Sequence, residues 1–148
     1  MDRSELTNCT LYAKKGIYIS NNTRVSGKIL TKADIVVKDR SEIFNSSILY
    51  TYGTLYEGRL TGKILLLDNT ISEGNILLNT TLRSSTPDQN SMQIIIDINA
   101  VVNGIVYSNN QTLLKGTVNG IVITKSFYTD IPLDFSHTSE LVMPNINR

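Results

Sequence analysis

Cysteine, histidine and tryptophan are nearly missing from this chain: one Cys, one His and no Trp in 148 residues. Cys9 therefore has no intrachain disulfide partner, and a zinc site of paired cysteines is excluded. A cysteine nucleophile needs a base, and the single histidine, His137, lies far along the chain, so Cys9 reads as a small core residue. Charge of one sign is also missing. Fourteen Lys and Arg against thirteen Asp and Glu leave a formal net charge of +1. Without a long like-charge run there is no general pull toward nucleic acid or an acidic membrane. No run of about 18 apolar residues could span a bilayer, and the opening MDRSELTNCT lacks the basic-then-apolar pattern of a signal peptide. Either the protein is cytosolic, or a leader or anchor precedes the sequence given, as for a cell-envelope or surface protein. Gly-rich phosphate loops, zinc spacings and basic-aromatic nucleic-acid signatures are absent too.

What is abundant is Ile, Leu, Val, Thr, Ser and Asn. β-Branched side chains suit a pleated surface, and Asn and Gly tolerate tight corners. Within VNGIVYSNNQTLLKGTVNGIVIT the pentapeptide Val-Asn-Gly-Ile-Val occurs twice, starting at Val102 and Val118. Upstream, TLYAKKGIYISNNTRVSG, KILTKADIVVKDRSEIFNS, SILYTYGTLYEGRLTG and KILLLDNTISEGNILLN read as further units of about 16 to 19 residues, a length that suits one rung of a β-helix built from three short strands. A first apolar column would hold Leu11, Ile29, Ile48, Ile64, Ile105 and Ile121. A second would hold Ile17, Ile35, Leu55, Ile71 and Leu113, and a third Val25, Ile43, Leu60, Ile76 and Val118. Corners fall on Gly16, Asn21-Asn22, Asp39-Arg40, Gly53, Gly58, Gly62 and Asn109-Asn110. A helix fits poorly, because apolar runs of about 3 to 5 residues are cut by turn-formers.

The reading is thus all-β: a single-stranded parallel β-helix of about six to seven rungs over residues 1–130, one domain with one core. A polar excursion at 80–91 interrupts it. The segment 131–148 loses the sheet period and reads as a C-terminal tail lying over the solenoid or closing one end. Beside the first column stands a second apolar set, Tyr12, Leu30, Leu49, Leu65, Val106 and Val122. Strand side chains alternate faces, so both sets cannot enter one core. This set is the candidate interaction stripe, either covered by the tail or docking another subunit, a partner or a missing N-terminal helix.

Other chemistry is thinner. Asp34, Asp39, Arg40, Asp68 and Asp97 are the candidates for the clustered carboxylates of a carbohydrate-active β-helix. A left-handed acyltransferase helix needs a strict hexapeptide period and a histidine inside it, and has neither here. Lys14, Lys15, Lys28, Lys32, Lys38 and Lys63 could make a weak basic face, or simply a solvated one. Asn-x-Ser/Thr triplets at Asn8, Asn21, Asn45, Asn79 and Asn110 are unremarkable in a chain so rich in these residues.

The phrases GKILTKADIVVKDRSEIFNSSI and VNGIVYSNNQTLLKGTVNGIVITKSFY resemble bactofilin-like bacterial β-helices, and are similar to β-helical domains behind membrane anchors in pilus-assembly and surface proteins. The resemblance covers roughly residues 10–130. It implies a right-handed, non-enzymatic β-helix that polymerises end to end or presents a scaffold and needs no cofactor. The expected function is a structural or interaction module acting through self-association or partner docking, with carbohydrate binding or cleavage as the alternative.

Overall fold

The computed structural model describes residues 3–53, 55–56, 59–60, 62–80, 93–129 and 140–142. Every regular element among them is a β-strand. Five strands are long: β1 (Glu5–Ala13), β3 (Arg24–Thr31), β5 (Glu42–Gly53), β9 (Ile71–Thr80) and β12 (Thr117–Tyr128). Four are three residues each: β2 (Ile17–Ile19), β4 (Ile35–Val37), β8 (Ile64–Leu66) and β10 (Ile94–Ile96). The longest, β11 (Val101–Leu114), and a short late strand, β13 (Glu140–Val142), complete one sheet. The pair β6 (Leu55–Tyr56) and β7 (Arg59–Leu60) forms a separate antiparallel hairpin.

All pairings in the main sheet are parallel, in the order β1-β3-β5-β9-β11-β10-β8-β4-β2, with β12 on β11 and β13 on β12. Its terminal strands, β1 and β2, do not pair with each other, so the sheet is not a closed barrel. It has two limbs. A short limb stacks Ile17–Ile19, Ile35–Val37, Ile64–Leu66, Ile94–Ile96 and Thr112–Leu114 in register. A long limb stacks β1, β3, β5, β9, most of β11 and β12, and β11 belongs to both.

The core lies between the limbs. Ile35, Val37, Ile64, Leu66, Ile94 and Ile96 are sealed from solvent and form one cluster with Val25, Ile29, Ile43, Leu49, Ile76, Val102 and Val106. Each side chain of this size contributes about 1.5–3 kcal/mol when removed from water. On the short limb the first and third residues point inward, which is why Ile-x-Ile and Ile-x-Leu recur there.

Two corners connect the limbs and set the register. Asn21-Asn22, Asp39-Arg40 and Asp68-Asn69 are consecutive left-handed pairs with φ between 53° and 59°. Paired left-handed residues make a type I′-like turn, and Asn and Asp adopt that conformation most readily. Their amides bond the next tier: Asn22 N–H donates to the Asp39 carbonyl and Arg40 N–H to that of Asp68, both at 3.0 Å. Within the long limb, Gly27, Gly74, Gly104 and Gly120 mark a close approach between tiers. A Cβ on Gly74 would stand 2.1 Å from the Ser47 carbonyl oxygen, and one on Gly120 2.0 Å from that of Gly104. The repeated Val-Asn-Gly-Ile-Val thus decodes as inward Val, outward Asn, a Gly pressed on the preceding tier, outward Ile, inward Val.

This register corrects several columns read from the sequence. Ile29 aligns with Leu49, Ile76, Val106 and Val122, not with Ile48, Ile64, Ile105 and Ile121. Ile17 and Ile35 continue through Ile64 and Ile94, not Leu55 and Ile71, and Leu113 falls one place late. Val25, Ile43 and Val118 do share a column, but through Ser72 and Val102, not Leu60 and Ile76. The β6–β7 hairpin accounts for Leu55 and Leu60, which keep a strand-like apolar spacing yet form a sheet apart from the stack. Ile48, Ile105 and Ile121 lie one residue from the inward column in runs that are apolar on both faces. The excursion at 80–91 lies, beyond Thr80, outside the described residues. Of the tail, Glu140–Val142 pairs with Ile121–Ile123 at the C-terminal end of the long limb, and the rest lies outside them.

Val106→Ala should therefore lower stability by about 2–4 kcal/mol and Ile105→Ala by less than about 1 kcal/mol. Gly120→Ala, forcing a methyl onto backbone, should cost at least about 2 kcal/mol. Chemical denaturation of the three variants checks the register; equal losses at 105 and 106 would refute it.

Candidate interaction face

Beyond the glycines, alternate long-limb residues must face solvent. One outward column holds Tyr12, Leu30, Tyr50, Leu77, Tyr107 and Ile123, each paired with the next across the sheet. A second holds Thr10, Lys28, Ile48, Asn75 on one side and Ile105, Ile121 on the other. Tyr12 is 58% exposed, Ile105 38% and Tyr107 37%, and the remaining apolar members of both columns are half-buried by their neighbours. Tyr52 and Asn79 pair at the far edge, where Asn109 Nδ2 donates to Asn79 Oδ1 at 2.8 Å. The short limb offers only one outward column, running from Tyr18 through Val36, Leu65, Ile95 and Leu113 to Tyr128. Val36 in it is buried. The long limb is the broader free surface.

The stripe expected from the sequence is divided by the structure. Tyr12 and Leu30 stand together in the outward column as expected. Leu49 and Val106 are fully buried and Val122 is 6% exposed, so these three point into the core. Leu65 belongs to the short limb, between Val36 and Ile95. From the third tier on, the outward partners are Tyr50, Leu77, Tyr107 and Ile123, which the sequence reading missed. The glycines carried the missing signal. In Gly27-Lys28-Ile29, Gly74-Asn75-Ile76, Gly104-Ile105-Val106 and Gly120-Ile121-Val122 the residue after glycine always points out and the next points in.

Where the long limb bends, Asn45, Glu73, Gly74, Asn75, Asn103 and Gly104 line an open groove of about 520 Å³. Its amides are partly committed to the stack. Asn75 Oδ1 accepts from Ile105 N–H at 3.2 Å, and Asn119 Nδ2 donates to Asn103 Oδ1 at 2.9 Å.

The other sequence candidates resolve into structural roles. Asp34 Oδ1 accepts from the amides of Gly62 and Lys63 at 3.0 and 2.9 Å, tying down the chain's return from the hairpin. Asp39, Arg40 and Asp68 are turn residues at the opposite corner. Asp97 lies near them, its carbonyl accepting from Ala100 N–H at 2.9 Å. Lys28 stands on the outward face, Lys38 lies 3.6 Å from Asp39, and Lys14, Lys15 and Lys32 follow the ends of β1 and β3. Cys9 is half-buried against the core, its thiol donating to the Ser26 carbonyl at 3.3 Å. His137 is outside the described residues. Among those residues no group of acidic, Cys or His side chains could hold a metal, and no helix is long and apolar enough to cross a membrane.

Among the described residues, the charge network lies near the N-terminal edge. Glu42 bonds Arg3 at 2.7 Å and Arg24 at 3.0 Å, Arg24 reaches Glu5 at 3.4 Å, and the Arg24 guanidinium sits 4.2 Å from the centre of the Phe44 ring. Hydrogen bonding from Arg3, chiefly, holds the Glu42 carboxyl below its usual range despite some burial. A depressed carboxylate stabilises the fold above its ordinary pKa, and that contribution is lost as pH falls through the lowered value. Acid titration of stability should show this loss below about pH 4. Glu42→Gln should remove it, at under about 1 kcal/mol because the pair is partly solvated. An unchanged acid limb in the variant would refute the assignment.

Comparison with family models, with curated proteins and with solved structures returns no match to this chain, so its function rests on its own geometry.

Proposed function

We propose that the tiers wind as a right-handed parallel β-helix serving as a non-enzymatic structural module that associates with further copies of itself. In-register parallel strands one tier apart favour this path, and parallel crossovers are right-handed in almost all proteins. The observation that carries the function is the outward long-limb column, where aromatic and aliphatic residues follow one another on successive tiers, Tyr12 and Tyr107 exposed and Leu30, Tyr50, Leu77 and Ile123 half-buried. A contiguous apolar patch on one face is a common mark of an interaction site. The net charge near zero sets no barrier between copies. A bacterial scaffold or cell-envelope setting fits the resemblance of its repeat phrases. Light scattering across a wide concentration range tests the reading. Mass should rise above the monomer value with concentration; a constant monomer mass throughout would overturn it.

One observation favours a second reading, carbohydrate binding. The groove of Asn45, Glu73, Asn75 and Asn103 offers amides and a carboxylate beside a surface carrying Tyr50 and Tyr107. Sugars are held by such polar groups with aromatic faces beneath them. Screening an oligosaccharide panel should then give binding that Asn103→Ala weakens about tenfold, one polar contact's worth. Failure of the parent protein to bind any member removes this reading.

A further inference from the structure

We propose that the first tiers of the long limb hold an acidic polysaccharide, a chain of sugars bearing carboxylates or sulfates. The proposal stands apart from the self-association above and from the groove, where Glu73 would repel such a chain. It starts from how charge is placed in a protein whose net charge is only +1. Among the described residues, Arg3 and Arg24 pair with Glu42, Arg24 also with Glu5, and Lys38 lies beside Asp39. Lys14, Lys15, Lys28 and Lys32 are exposed and pair with no acid there. All four belong to the first two tiers. Register gathers them around one ring. Tyr12 pairs with Leu30, Thr10 with Lys28, and Ala13 with Thr31, so Lys14 and Lys32 follow side by side. With tiers about 4.8 Å apart and about 3.3 Å per residue, Lys28 and Lys32 each stand about 8 Å from Tyr12 and Lys14 about 7 Å from it. Around the corner, Tyr18 brings its Cε2 to 3.4 Å from where a Cβ on Gly16 would stand, next to Lys15. Tyr18 and Tyr12, 68% and 58% exposed, are the two most exposed rings among the described residues. Asp34 is the one described acid near them, and its Oδ1 is held by the amides of Gly62 and Lys63. Glu140 follows Ile121 only on the seventh tier.

Defence of a sheet edge does not explain these lysines. Lysine on β1 would discourage another strand from pairing. Lys28 lies on β3 and Lys32 just past it, and β3 is already paired on both sides. Lys14 beside Lys32 is a like-charge pair, which costs stability until an anion lies between them. The rings decide which polymer supplies that anion. Tyr12, Tyr50 and Tyr107 recur on alternate tiers, with Leu30 and Leu77 between them. A tier of about 4.8 Å is close to the length of one sugar in an extended chain, so alternate sugars meet a ring. Their apolar faces stack on tyrosine while carboxylates or sulfates bond the lysines. Nucleic acid fits less well. It carries a phosphate on every unit and stacks successive bases on successive rings, and Leu30 and Leu77 break that row. A bilayer fits less well too, because Leu30, Ile48 and Leu77 are half-buried between the rings and Thr10 and Asn75 would lose water.

Calorimetric titration of the whole chain with an oligogalacturonate, a sulfated dextran and unsulfated dextran tests the site. At least one acidic sugar should bind, with an affinity that falls as salt rises. Unsulfated dextran should bind at least about tenfold more weakly than the acidic sugar, the worth of one charge-assisted contact. The double variant Lys28→Gln, Lys32→Gln should weaken the acidic sugar at least about tenfold, and Tyr12→Ala up to about tenfold, with thermal unfolding still cooperative. Arg40→Gln at the opposite corner and Asn103→Ala in the groove should leave it unchanged. An equal loss in Arg40→Gln means diffuse charge attraction and overturns the site. Tighter binding of an oligothymidylate or of phosphatidylserine vesicles through the same lysines overturns the polysaccharide. A parent that binds neither acidic sugar overturns the proposal outright, while self-association and the groove stand or fall by their own measurements.

Discussion

In-register parallel pairing between successive tiers is the constraint on which everything else here depends. Each strand's amides and carbonyls are satisfied by the tiers on either side, so a slip of one residue would turn a whole tier inside out. Length variation is therefore pushed to the corners. Where the long limb bends, the register slips between Leu6 and Cys9 and again between Ile43 and Ser47. Asn8 and Asn45, both left-handed at φ 49° and 55°, sit within those slips. One extra residue is absorbed at the first slip and two at the second, without disturbing the columns that follow. The hairpin β6–β7 is the same solution on a larger scale: Asp34 catches the returning chain at Gly62 and Lys63, and Ile64 resumes the stack in register with Ile35.

The same constraint explains polar residues within the core. At the far end of the long limb the inward column carries Thr31, Thr51, Ser108 and Thr124, all buried. These positions lie beside the turn into the short limb, where carbonyls leave the ladder. Thr51 Oγ1 donates to the Ala33 carbonyl, and Thr124 Oγ1 donates to that of Asn110 at 2.8 Å. A buried hydroxyl that satisfies a turn carbonyl replaces a desolvation penalty with a hydrogen bond. Small β-branched Thr also fits a strand end, so one residue type meets the backbone and packing demands together.

Strand content, parallel stacking by short repeats and several corners were legible from the residues alone, because Ile-x-Ile triplets and Asn-Asn or Asp-Arg pairs each have one cheap conformation. The facing of the columns was not. Runs such as Lys28-Ile29-Leu30 and Gly104-Ile105-Val106-Tyr107 are apolar on both faces, so alternation gives no preference between the two parities. What breaks the tie is contact between tiers: Gly120 must press on Gly104, and that places Val122 inward and Ile123 outward. A close approach between residues on different tiers leaves little mark in local hydropathy. The hairpin concealed itself for a related reason, since Leu55 and Leu60 continue the apolar rhythm while leaving the stack.

A sheet apolar on both sides also limits how copies can meet. Its edges are the natural sites for further pairing, yet the N-terminal edge holds Glu5, Arg24, Glu42 and Arg3 in one network and bends at Asn8. Extending the stack there would desolvate charges already paired, for backbone bonds that water supplies nearly as well. The broad face has the opposite balance. Its rings and aliphatic side chains lose little on leaving water. Rings and aliphatic side chains alternate along the outward column as far as Ile123, and β13 continues the register beyond it at Val142. The same tier-by-tier pairing that builds the core thus decides which edge is closed to further strands and which face stays apolar.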